Sequence, residues 1–324
     1  MGLLIKGEWH DRWYETKDNN GEFLREDSQF RNWITPDGSA GPSGLAGFPA
    51  EEGRYHLYVS LACPWAHRTL IFRKLKSLED SISVSIVHPH MLNKGWVFDD
   101  WKGETGDHLY GLKCLHQHYT RAKSEYSGRV TVPVLWDSQN ETIVSNESSE
   151  IIRMLNSAFN EYTNVKTDYF PDNLADEINV INKKIYQNIN NGVYRCGFAT
   201  TQKAYQTAFT KLFDCLNDLE AMLSKSRYLL GETITEADWR LFTTLIRFDA
   251  VYFSHFKTNK YRISDYPELY GYVRDLFQQP GIAETVNMEH IKQHYYYSHN
   301  TINPSRIVPE GPDLNFSSKH QRDQ

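Results

Sequence analysis

The feature that most restricts how this chain can fold is a change of hydrophobic period near residue 172. Before it, short apolar segments alternate as strands do: Tyr55-His-Leu-Tyr-Val-Ser60, then Ile82, Val84 and Ile86 separated by serines. Val130-Thr-Val-Pro-Val-Leu-Trp136 and Thr142-Ile-Val144 follow as a hairpin. Beyond residue 172, Leu174, Ile178, Ile181, Ile185 and Ile189 recur at helical spacing, and Phe209, Leu212, Phe213, Leu216, Leu219 and Leu223 form a second stripe. The alternating segments and the long helical stripes belong to different architectures, and 324 residues suffice for about two domains. The chain therefore reads as an α/β unit followed by an all-helical one.

Within the first part, Pro64 opens a helix carrying Ile71, Leu75 and Leu78, which makes a βαβ unit of residues 55–86. The hairpin and a helix from Glu147 to Asn156 add a ββα unit. Residues 89–128 are polar and too long for an ordinary connection, so they are expected to form an insertion near the site. In the second part Thr235-Glu-Ala-Asp238 reads as a capping box, and Pro267 opens a further helix that Pro280-Gly281 ends. The predicted organisation is an extension over 1–50 with little regular structure, an α/β domain over 51–160, a helical domain over 172–300 and a tail over 301–324.

Composition narrows the function classes. Lys and Arg number 35 against 41 Asp and Glu, a net charge of −6 that gives no support to nucleic-acid binding. No apolar run approaches the roughly 18 residues of a membrane span, and Met-Gly-Leu-Leu-Ile-Lys at the start has neither a secretory core nor a myristoylation pattern. A cytoplasmic protein is expected. The four cysteines, at 63, 114, 196 and 215, show no paired metal spacing, and His88/His90 and His116/His118 have no accompanying ligand cluster, so no metal is expected. No glycine-rich phosphate loop is present. The 8 Trp, 20 Tyr and 16 Phe exceed what a core of this size needs and suggest aromatic binding surface.

Cys63-Pro64-Trp65-Ala66 stands where a strand gives way to a helix. Proline at the first helical position puts Cys63 at the N-cap, facing unpaired N–H groups and the positive end of the helix dipole, so its thiol pKa is expected to fall. Cys114, Cys196 and Cys215 lack that setting and read as core or surface residues. The position that holds a resolving thiol in a Cys-X-X-Cys pair is Ala66, so a mixed disulfide on Cys63 must wait for an external thiol such as glutathione. His67 and Arg68 read as helix-surface residues.

The βαβ-ββα order, the Cys-Pro-X-X motif, Val132-Pro133 and Glu147-Ser148 resemble a thioredoxin-like glutathione-binding domain followed by a helical domain, the architecture of glutathione transferases. Tyr58-Val-Ser-Leu-Ala-Cys-Pro-Trp-Ala-His-Arg68, Asn146-Glu-Ser148, Asn191-Gly-Val-Tyr194 and His294-Tyr295 resemble more closely the glutathionyl-hydroquinone reductases, the xi class. That resemblance implies an enzyme, Cys63 as nucleophile, Tyr194 as proton donor, and Tyr252 and Tyr295 as aromatic-site residues that hydrogen-bond or tune the thiol. It implies a glutathione site from Trp96 in the insertion, Arg129 toward the glycyl carboxylate, Val130, Thr131, Val132 and a cis Pro133 along the cysteinyl group, and Glu147 and Ser148 at the γ-glutamyl end. It also implies a homodimer. Two other readings stand beside it: an omega-like thiol transferase or dehydroascorbate reductase using the same cysteine, and a non-catalytic binding module of this fold.

Overall fold

The computed structural model describes residues 2–322, so Met1 and the last two positions of the expected tail lie outside it. Two compact units emerge, and neither is one stretch of sequence. The first takes residues 2–13, 26–167 and 285–294; the second takes 14–25, 168–284 and 295–322. The leader that reads as a single extension is thus divided between them.

In the first unit the central strand is β3, once the short leader strands β1 (Leu3–Ile5) and β2 (Glu8–His10) have been counted. All five residues of β3 (Tyr55–Val59) are buried, as expected of a strand with neighbours on both sides. The helix α1 (Pro64–Leu75) carries the chain over to β4 (Ile82–Ile86), which pairs parallel to β3 with Leu57 opposite Val84. The insertion contains α2 (His116–Ala122), and the chain returns through β5 (Gly128–Arg129), β6 (Val134–Asp137), β7 (Thr142–Ser145) and α3 (Ser148–Ser157). The main sheet has the order β4-β3-β6-β7, with β6 antiparallel to both β3 and β7. Helices α1 and α3 pack on each other, and Ile71, Phe72, Ile151 and Leu155 on them are buried.

Two local outcomes depart from the sequence reading. The ladder of β6 begins at Val134, not Val130: Pro133 has no N–H to give to a strand partner, and the Val132–Pro133 peptide is cis. The leader is not without structure, because β1 pairs antiparallel with both β2 and β5 in a small second sheet. The insertion is fastened to β3 from inside. The buried Asp107 accepts from the Tyr58 hydroxyl at 2.9 Å and from the amides of Leu109 and Leu112, and lies 3.2 Å from His118 Nε2. Burial works against its charge, yet His118, the Leu112 amide and Tyr58 outweigh it and hold the carboxyl well below the usual range.

The second unit is built on helices: α4 (Ala175–Ile185), α5 (Gly192–Gly197), α6 (Gln202–Leu223), α7 (Glu236–Arg247), α8 (Phe253–His255), α9 (Pro267–Phe277) and the end of α10 (Met288–Ser298). Every residue of α7 is buried, which makes it the axis of this unit. Its start is the expected capping box, with Asp238 Oδ2 accepting from the Thr235 amide at 2.8 Å. Two π-helical turns, Tyr186–Asn190 after α4 and Phe248–Tyr252 after α7, interrupt the regular helices. Among the described residues no helix is long and apolar enough to cross a membrane.

Candidate active site

Cys63 occupies the N-cap of α1 with extended backbone (φ −75°, ψ 123°), and Pro64 is the first helical residue. Its carbonyl accepts from the His67 amide at 2.9 Å, while its side chain makes no capping bond. The sulfur is instead turned toward the proline segment, 3.6 Å from the Val132 carbonyl to which the thiol donates. Cys63 retains 9% exposure. Burial pushes Cys196 up to about 12 and Cys215 up to about 11, and also raises Cys114. These three stay protonated at neutral pH.

The segment that ends in the cis Val132–Pro133 peptide lies beside the thiol. Tyr119 on α2 props it from behind. Its hydroxyl donates to the Thr131 carbonyl at 2.9 Å and accepts from the Thr131 amide and from Asn146 Nδ2. Val130 and Val132 are buried alongside. At the start of α3, Glu147 is the N-cap and takes the Ser149 amide and hydroxyl on Oε1 and the Ser28 hydroxyl on Oε2. Burial raises its pKa, but the Ser149 bonds and the charges of Arg68 and Arg31 prevail and lower it, so Glu147 is ionised.

Arg68 is a correction to the sequence reading. It is 1% exposed, lies 4.6 Å over the Trp65 ring and donates to Ser148 Oγ at 3.4 Å. His67 is likewise buried, with Nε2 2.8 Å from Thr285 Oγ1. An amphipathic count along α1 misses both, because it sees only which residues are apolar. Arg129 is also buried, and its guanidinium donates to the carbonyls of Arg12 and Trp13, which ties part of its donor fork to the leader. Trp96 is buried in the insertion, its carbonyl accepting from the Leu115 amide.

In the second unit Tyr194, Tyr252 and Tyr295 come together. The Tyr295 hydroxyl lies 2.5 Å from that of Tyr194 and 3.0 Å from that of Tyr252. Burial, then the two neighbouring phenols, push Tyr295 well above its ordinary pKa against the opposing pull of Arg247, so this phenol keeps its proton. If Tyr252 donates to Tyr295 and Tyr295 to Tyr194, the terminal proton belongs to Tyr194, the most exposed of the three. Phe256 fills the space between the rings, stacked on Tyr252 and 5.5 Å from Tyr194. The histidine pairs go to packing. His88 and His90 lie against Trp101, His116 stacks on Trp9, and among the described residues no three His, Cys, Asp or Glu side chains group as a metal site.

Two family models match the chain: "Glutathione S-transferase, N-terminal domain" over residues 62–158 and "Glutathione S-transferase, C-terminal domain" over 202–275. The glutathionyl-hydroquinone reductase YqjG of Escherichia coli is 58% identical over 324 residues, covering 100% of this chain and 99% of the relative. The chain belongs to the glutathionyl-hydroquinone reductases, the xi class of glutathione transferases. A second reductase of this name, PcpF of Sphingobium chlorophenolicum, is 50% identical with 96% of each covered. The "Glutathione S-transferase omega-like 2" of Schizosaccharomyces pombe is 47% identical, covering 92% of this chain and 95% of that one. Among solved structures, the glutathione-bound YqjG superposes with a TM-score of 0.93 at 55% identity over 99% of both chains.

For a xi-class chain, sequence reasoning missed Tyr119, Arg68, Phe256 and both π turns. The turns bear directly on the tyrosines: Tyr194 follows the first on α5, and Tyr252 closes the second. Gly197 was a readable signal. A Cβ there would fall 2.2 Å from the Phe256 ring, so only glycine lets α5 approach the aromatic cluster.

Proposed function

We propose that this chain catalyses the glutathione-dependent reduction of glutathionyl-hydroquinones to hydroquinones. The observation that carries the reading is the single thiol at the N-cap of α1, with alanine where a resolving cysteine would stand, in a chain alike from end to end to reductases of that name. Cys63 thiolate attacks the sulfur of the conjugate. The carbon–sulfur bond to the ring breaks, its electron pair stays with the aromatic carbon, and Tyr194 supplies the proton that completes the free hydroquinone. Cys63 is left as a mixed disulfide with glutathione. A free glutathione attacks that disulfide, releases oxidised glutathione and restores the Cys63 thiolate, while its proton makes good the one lost from Tyr194. The conjugate is thereby reduced: its thioether sulfur and the thiol sulfur of one free glutathione become the two sulfurs of oxidised glutathione.

Glutathione is the co-substrate, and its binding set is assigned as Trp96, Arg129, Val130, Thr131, Val132, Pro133, Glu147 and Ser148. Main-chain groups beside Pro133 meet the cysteinyl part. The ionised Glu147 takes the ammonium, and Ser148 at the start of α3 takes the γ-glutamyl carboxylate. Arg129 serves the glycyl carboxylate. Tyr252 and Tyr295 back Tyr194 as its charge changes. We place the enzyme in the cytoplasm and take it to be a homodimer, the second as the family resemblance implies.

The omega-like name of the fission-yeast relative favours a second reading, a thiol transferase acting on small disulfides through the same cysteine. Rates on a glutathionyl-hydroquinone and on a small mixed disulfide, at equal glutathione, separate the two. The reductase reading requires the conjugate to be preferred in kcat/KM; preference for the disulfide, with negligible release of hydroquinone, refutes it.

A further inference from the structure

In the first unit the insertion is joined to the start of α10 by imidazoles. His290 Nε2 donates to the Lys102 carbonyl at 2.6 Å, His90 Nε2 lies 2.9 Å from Gln293 Oε1, and His294 Nδ1 lies 2.9 Å from the Pro89 carbonyl. The last of these fixes a ring as well as a chain. A carbonyl oxygen only accepts, so Nδ1 of His294 carries a hydrogen, and the direction of that bond sets the plane of the imidazole. In that plane the ring lies flat on the indole of Trp96, with centroids 4.9 Å apart and the planes inclined by 22°. Both side chains are buried.

The backbone of Trp96 is held without His294: its carbonyl accepts from the Leu115 amide, and bridges flank it at Leu92–Gly95 and Val97–Cys114. Those contacts leave the rotation of the indole about its side-chain bonds undecided. The His294 ring covers one indole face and so selects the rotamer. We propose that His294 is a positioning residue for glutathione, holding the Trp96 indole in the orientation in which it meets the ligand. The inference rests on the reading of Trp96 as a glutathione contact given above.

The test is calorimetric titration of reduced glutathione into the full-length wild-type protein, His294→Ala, Trp96→Ala and the double variant, with kcat and KM measured on each. An offset aromatic stack of this kind corresponds to roughly a fivefold change in affinity. His294→Ala is expected to raise Kd by about that factor and KM with it, while kcat at saturation changes less than about twofold. Tyr295 is the next residue, so kcat also reports whether the substitution has disturbed the tyrosines. In the Trp96→Ala background, His294→Ala should add nothing. His294→Phe, which keeps the stack, should recover more affinity than His294→Asn, which keeps only a donor, and thermal unfolding guards against a misfolded variant.

An unchanged Kd for His294→Ala, beside a weakened Trp96→Ala, overturns the positioning role alone. An equal loss from His294→Ala in both backgrounds overturns it too, since the histidine then acts without Trp96. If Trp96→Ala itself binds glutathione like the wild type, the reading of Trp96 falls and the positioning role falls with it.

Discussion

The thiol region of the first unit and the tyrosine cluster of the second are made in opposite ways. Around Cys63 the chemistry is largely in the main chain: a helix start, a cis proline, a carbonyl 3.6 Å from the sulfur and a capped helix behind Glu147. Around Tyr295 it is entirely in side chains, its own phenol and two more drawn from positions 101 and 43 residues away from it. Main-chain sites follow from local sequence, because a few residues set a turn or a cap. Side-chain clusters follow only from how distant helices pack.

The steepest contrast concerns the nucleophile. Cys63→Ala is expected to lower hydroquinone release by about a thousandfold or more, whereas Cys196→Ala and Cys215→Ala, at thiols that burial keeps protonated, should change kcat less than about twofold. Steady-state rates on purified variants decide this, and a large effect at either helical cysteine breaks the division of labour.

The next test sets one region against the other. Tyr194→Phe removes the terminal proton and should lower kcat about a hundredfold with KM for glutathione little changed. Ser148→Ala should do the reverse, raising that KM about tenfold and leaving kcat within about threefold. If both variants move the same parameter, the two regions do not have separate tasks.

That difference in construction is also the difference in what could be read. The βαβ order, the N-cap cysteine and the Thr235–Asp238 box were legible because each is decided locally, whereas the cis Pro133 came with the family resemblance. Nothing local distinguishes Tyr194, Tyr252 and Tyr295 from the other tyrosines; the family resemblance picked them out. Arg68 escaped because it meets Ser148, 80 residues on, and the leader strand β1 because one of its two partners, β5, lies more than a hundred residues on. Gly197→Ala probes the packed kind of site: the added carbon meets Phe256 at 2.2 Å and should cost about 1–3 kcal/mol in urea unfolding, with a fall in kcat as the tyrosines shift.

The smallest effect treats the two units alike. Burial pushes His56 in the first down to about 3 and His255 in the second down to about 4. Both are neutral in the fold, while an unfolded histidine takes its proton near pH 6.5. Between that pH and about 4 the unfolded chain therefore binds more protons, and stability falls as pH drops through the window. Each group contributes about 1.4 kcal/mol per pH unit there. Urea unfolding at pH 7 and pH 5 should show that His56→Gln and His255→Gln each flatten the slope by about one proton; no flattening in one of them places that histidine on the surface.

The central claim is that one thiol carries glutathione between two half-reactions. Reduced protein mixed with one equivalent of a glutathionyl-hydroquinone, without free glutathione, is followed by intact mass and peptide mapping as hydroquinone is measured. The account predicts one hydroquinone released per chain, one glutathione adduct located on Cys63, and discharge of that adduct as oxidised glutathione when glutathione is added. Repeated release without an adduct, or an adduct located on Cys114, Cys196 or Cys215, contradicts it.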